Sequence, residues 1–174
     1  MKLSPDAPEE LKYTLLHSSW SSINKWHNKV DSLEDDILYQ INMAKNIALT
    51  DSKGASNIYL NTAKSIKNNR LTINSPTIEN NVESITSNLL YLRAIICILC
   101  EDDAIEASIV LNTIVEEDKD FKTTKESKFC DDLIKSVTNY DIHNFTKAIE
   151  EYSLVHLDNE TVSLLLKLQL TFKF

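Results

Sequence analysis

Three cysteines and four histidines are the residues of this chain best suited to nucleophilic, redox or metal chemistry. Cys97-Ile-Leu-Cys100 has the CxxC spacing found in thiol oxidoreductases and in half of a zinc site. A reactive pair belongs at an exposed helix start or turn, where a thiolate is stabilised. Here both thiols lie inside the apolar run Leu89 to Cys100, and no second CxxC follows. They read as buried, inert side chains, and Cys130 is a third isolated thiol. The histidines, His17, His27, His143 and His156, are scattered without an HExxH-type pairing. Neither GxGxxG, a P-loop nor GxSxG occurs, and the single glycine, Gly54, leaves no loop able to cradle a phosphate. The residues therefore predict no catalytic group, no metal site and no cofactor, although a thiol enzyme using Cys97, Cys100 or Cys130 stays open as a reading.

The elements that would have to position any such groups are helical. One glycine and three prolines in 174 residues leave few of the positive-φ corners that hairpins and barrels use. Length predicts one domain, 1–174. Asp6 and Glu9 have capping-box spacing, and Leu16, Trp20, Ile23, His27 and Val30 then make one helical stripe. Ile37, Ile41, Ala44 and Ala48 make a second, ending at the TDSKG turn. Ala55, Ile58, Tyr59, Ala63 and Ile66 make a third.

Residues 68–81, rich in Asn, Ser and Thr around Pro76, predict a polar loop. Val82 to Cys100 predicts a fourth, central helix, because its second half is apolar on most sides. Ala107, Val110, Leu111 and Ile114 mark a fifth helix; Phe129, Leu133, Ile134 and Val137 a sixth; Phe145, Ala148, Ile149 and Tyr152 a seventh. The end, LKLQLTFKF, alternates like a strand but has no evident partner, so Asp158 to about Leu170 is assigned to an eighth helix with an atypical tail. The Ala-x-x-φ-Tyr pattern of Ala55–Tyr59 partly recurs at Ala148–Tyr152 (Ala-Ile-Glu-Glu-Tyr), and small residues at such positions let helices approach closely, as in tetratricopeptide-like solenoids. The predicted fold is all-α, with tetratricopeptide-like antiparallel helix pairs stacked side by side.

Charge excludes some partners. A net charge of −8 disfavours nucleic acid as the main ligand. The 12-residue run Leu89 to Cys100, with Arg93 inside it, is too short for a bilayer, which takes about 20 residues. MKLSPDAPEE lacks the apolar stretch of a signal peptide, and an odd cysteine count suits a reducing compartment, so a cytoplasmic location with at most peripheral membrane contact is expected. Glu101 to Phe121 carries eight acids against one base, Lys119, whereas Lys53 to Arg70 carries four bases and no acid. These runs are either solvated faces or the two poles of an adaptor for oppositely charged partners.

The block Phe121 to Tyr152 resembles the C-terminal region of the soluble NSF attachment proteins, the SNAPs, especially the alpha type. Phe121, Lys125-Glu126, Lys128, Leu133, Phe145-Thr146, Ala148 and Glu151-Tyr152 carry the likeness. Arg93 to Asp102 is similar to the family's Lys-Ala-Ala-Leu-Cys segment with its following Cys and Asp. Leu157-Asp158 and Leu164 to Lys167 resemble its Leu-Asp and Leu-Leu-Arg end. The resemblance is strongest over about 86–170 and thins before Tyr59, which leaves 1–34 as a divergent lead-in.

It implies a right-handed α-superhelix of helix pairs ending in a helical bundle, an adaptor without chemistry of its own. Such a protein binds assembled SNARE bundles and recruits the NSF ATPase that disassembles them in vesicle fusion and intracellular transport. On that resemblance Lys125 and Arg93 take basic positions toward the SNARE bundle, with Lys64 and Lys67 of the basic third helix as further candidates. Asp102, with Glu101 beside it, takes an acidic position toward the ATPase. Departures are also visible. Family acids on the sixth helix appear as Lys135, Thr138 and Asn139, residues 68–85 look like an insertion, and the acidic tail and membrane-touching loop have no counterpart. A generic helical-repeat scaffold in another complex is the alternative.

Overall fold

Tight spacing of apolar side chains at helical intervals, with few glycines to interrupt it, produces helices almost throughout the computed structural model. It describes residues 32–76, 82–153 and 157–172. The chain divides into two compact units, Met1–Asp36 and Ile37–Phe174. The first lies almost wholly outside the described residues, and with it the predicted stripe from Leu16 to Val30. The second unit contains helices α1 (32–47, from Ile37 on), α2 (Ser52–Asn69), α3 (Ser87–Leu99), α4 (Ala104–Glu117), α5 (Lys125–Thr138), α6 (Ile142–Ser153) and α7 (Asn159–Gln169). A 3-10 turn, Phe121–Thr123, precedes α5. Strands β1 (Ile73–Pro76) and β2 (Val82–Ile85) pair between α2 and α3. The fold is all-α, as expected, with one small hairpin added.

Helix α3 is the axis. Every residue from Leu90 to Leu99 is buried, and α2, α4, α5 and α7 all pack against it. That explains why its sequence is apolar on nearly all sides: a helix surrounded by others has no wet face. The amphipathic helices around it bury the predicted stripes. Ala55, Tyr59, Ala63 and Ile66 point inward from α2, and Phe129, Leu133, Ile134 and Val137 from α5. On α6 the ring of Tyr152 stacks on Phe129 at a centroid distance of 4.3 Å, fastening α6 to α5.

Two boundaries differ from expectation, each for a local reason. The predicted loop 68–81 contains the end of α2 and strand β1, and Val82 to Ile85 is strand, not helix. β1 and β2 pair antiparallel with Ile73 opposite Ile85, and both of these side chains are buried. Thr86 then caps α3, its hydroxyl accepting from the Leu89 N–H at 3.2 Å. Val82, Ile85, Leu89 and Leu92 fall at helical spacing, so the sequence pattern ran straight through this cap.

α1 ends near the TDSKG segment, as expected, and the single glycine lies beyond that turn. Gly54 lies in the first turn of α2, where Asp51 is the N-cap and accepts its N–H at 2.8 Å. A Cβ on Gly54 would come within 2.8 Å of the Asp51 carboxyl carbon, so the missing side chain leaves room for the cap. Left-handed turns fall instead to Arg70, Asp102 and Tyr140, with φ of 52°, 60° and 52°. The apolar tail is explained too: Phe172 is buried and its ring lies 4.9 Å from that of Phe145.

Candidate protein-binding surface

The Cys97–Cys100 pair sits where the sequence placed it, in the interior. Cys97 and Cys130 are fully buried. Burial, first of all, pushes the thiols of Cys97 and Cys130 far above their ordinary range and that of Cys100 up to about 12. A nucleophilic cysteine needs the opposite shift. Among the described residues no group of three or more His, Cys, Asp or Glu side chains could hold a metal ion. An open groove of about 350 Å³ between α5 and α6 is lined by Lys128, Asp132, Lys135, Asn144, Lys147 and Glu151. Its walls are built mostly of charged and amide side chains and it opens to solvent, unlike the enclosed, mostly apolar pockets that hold small molecules.

Attention therefore falls on the charged surface. Arg93 does not belong to it. Its side chain is 2% exposed and reaches two carboxylates at the start of α7, Asp158 at 2.8 Å and Glu160 at 3.0 Å. Tyr59 of α2 donates its hydroxyl to the same Glu160. Asp158 also caps α7, accepting from the Thr161 N–H at 2.8 Å and the Thr161 hydroxyl at 2.5 Å. Burial works against ionising Asp158, but Arg93 and the Thr161 hydrogen bonds outweigh it and hold the carboxyl below its usual range. For Arg93 the cost of burial is likewise overcome by Glu160 and Asp158, and its pKa is raised. The expected partner-facing arginine is an internal tie among α2, α3 and α7. An arginine inside an oily run was the signal for this; its acceptors, about 65 residues downstream, had no signature of their own.

Lys64 and Lys67 are at the surface but engaged within the molecule. Lys64 pairs with Glu117 at 2.7 Å and Lys67 with the buried Asp118. The basic run of α2 and the acidic run at the end of α4 thus meet each other through these two pairs, while the other six acids between Glu101 and Phe121 have no ion-pair partner among the described residues. Lys125 differs. It is the first residue of α5, exposed, and among the described residues it has no ion-pair partner. Thr124 caps that helix, accepting from the Ser127 N–H at 3.2 Å, which fixes where Lys125 leaves the fold. Glu101 and Asp102 are exposed in the α3–α4 turn, and Asp103 next to them caps α4 by accepting from the Glu106 N–H at 2.8 Å. Of the six residues singled out from sequence, Lys125, Glu101 and Asp102 are free to meet a partner. Lys135, standing where a family acid is expected, pairs with Asp131 at 2.5 Å.

A helical unit with inert thiols and charged turns at its surface has the character of a protein-binding module. The family model described as "Soluble NSF attachment protein, SNAP" matches residues 40–173, and the chain belongs to that family. It is similar to an alpha-soluble NSF attachment protein of Dictyostelium discoideum, 28% identical over 96 residues, which covers 55% of this chain and 33% of the relative. Its likeness to the one of Vitis vinifera is 32% over 102 residues, covering 58% and 35%. A vesicular-fusion protein SEC17 of Coprinopsis cinerea is 30% identical over 94 residues, 49% of this chain and 32% of the relative. The chain thus matches about a third of the length of these curated relatives. No solved structure matches it.

Proposed function

We propose that this chain is a SNAP-type adaptor without catalytic activity, acting in vesicle fusion by binding SNARE bundles and engaging the NSF ATPase. The observation that carries the reading is the family match over 40–173, which spans both the α3–α4 turn and the start of α5. Lys125 meets acidic SNARE surface, and Glu101 with Asp102 meets a basic surface of the ATPase. No described helix is long and apolar enough to cross a membrane, and the adaptor reaches membranes through its SNARE partner. The partner-facing basic surface is smaller than the sequence suggested, since Lys64 and Lys67 already have acidic partners.

Titration of an immobilised SNARE bundle with the full chain tests this. Lys125→Glu should weaken retention about tenfold, roughly 1.4 kcal/mol. The wild-type interaction should fall steeply with salt, because an exposed contact is screened beyond about 10 Å at 0.1 M. Equal retention of the variant would remove Lys125 from the interface. The same internal neutralisation of Lys64 and Lys67 favours a second reading, a helical scaffold in another complex. Loss of all SNARE and NSF binding at low salt would select it.

A further inference from the structure

The outer face of α4 carries two exposed isoleucines in its first half with glutamates beside and beyond them; α1 likewise exposes Tyr39 and Met43 near Asp35 and Asp36, but that helix also bears Lys45. Ile105 is 77% exposed and Ile109 60%, and the two lie one helical turn apart on the same side. Ala107, Leu111 and Ile114 fill the opposite, buried side, so the exposed isoleucines contribute nothing to the core. Glu106 lies on one flank of the pair and Glu117 further along that same flank, Glu116 continues its line, and α4 contains neither lysine nor arginine. Only Glu117 has an ion-pair partner among the described residues, Lys64. The exposed face of α7 also presents Val162, Leu166 and Leu170, but it bears no charge that would specify what covers it.

Taken with that charge, we infer that the α4 face docks a basic amphipathic helix of another protein, one with apolar residues at i and i+4 and lysine or arginine along one flank and at one end of that stripe. Such a helix can cover Ile105 and Ile109 while its cations meet Glu106 and Glu116. The sign of the rim argues against the other occupants. A second copy docked α4 against α4 would set glutamates of one chain beside those of the other, and an anionic membrane would be repelled. The inference goes beyond the adaptor reading and does not depend on it.

The test uses the full chain and three probes: a helical peptide of leucine and lysine with leucines at i, i+3 and i+4, its leucine–glutamate counterpart, and vesicles containing phosphatidylserine. The wild-type chain should bind the lysine peptide and neither of the others. Ile105→Gln with Ile109→Gln should weaken lysine-peptide binding about tenfold. That double variant keeps every charge, so the loss reports apolar docking and not attraction to a net charge of −8. It should also fold normally, since both positions are exposed and glutamine suits a helix at least as well as isoleucine. Unchanged affinity in the double variant would overturn the inference. So would equal binding of the glutamate peptide, uptake onto the vesicles, or self-association of the wild-type chain that the variant abolishes.

Discussion

Arg93 carries the largest electrostatic commitment in the fold. A guanidinium 2% exposed between Asp158 and Glu160 is tolerable only while all three charges stay together. Replacing it by methionine keeps most of the volume but strands two carboxylates, and should cost about 3–5 kcal/mol in urea unfolding. The pH dependence has a definite sign. Because Asp158 is held below its usual range, its contribution is complete above the unfolded-state value near ~3.9 and drains away as pH falls through the lower, folded value. In Arg93→Met the buried carboxyl prefers its proton. Stability should therefore fall less between about pH 4 and pH 2 in the variant than in the wild type. A parallel acid limb in both proteins would contradict this assignment.

The thiols give a second residue-scale expectation. Burial raises all three, so a thiol reagent near neutral pH should react slowly with the native chain and quickly once it is unfolded. Rapid labelling of Cys97 or Cys130 in the folded protein would revive the thiol-enzyme reading.

At the scale of elements, the helices were legible because each buries one stripe. α2, α5 and α6 each keep their predicted inward residues, with only Ile58 and Ile149 half-exposed at the edge of their stripes. What escaped were features whose cause is not periodic. The hairpin strands have four residues each and include Asn, Ser and Pro, too few and too polar to alternate visibly. The recurring Ala-to-Tyr spacing has a meaning that spacing alone did not show: Tyr59 and Tyr152 both donate to glutamates on other helices, Glu160 and Glu126. The left-handed helix ends were hidden as well, since Arg70, Asp102 and Tyr140 do what glycine usually does.

A left-handed conformation costs a residue with a Cβ about 1–2 kcal/mol. Tyr140 is exposed, so Tyr140→Gly should stabilise the protein by roughly 1 kcal/mol and raise its melting temperature by a few degrees. A lower melting temperature would mean that the tyrosine ring contributes more than the strain costs.

For the molecule as a whole, the sequence made the class of protein plain and misjudged the surface. Net charge along the chain cannot distinguish a lysine facing a partner from one paired with an acid elsewhere, and Lys64 and Lys67 turned out to be the second kind. Arg93 was lost to the interior for the same reason: its acceptors lie far along the chain. What remains, Lys125 at the start of α5 and Glu101 with Asp102 in the α3–α4 turn, is a pair of small, separate charged features. That suits an adaptor holding two partners. Its central test is retention of NSF on an immobilised SNARE bundle with and without this chain. Retention that needs the chain and is lost when Glu101 and Asp102 become Gln and Asn is the predicted result; ATPase recovery no greater with the chain than without it would contradict the account.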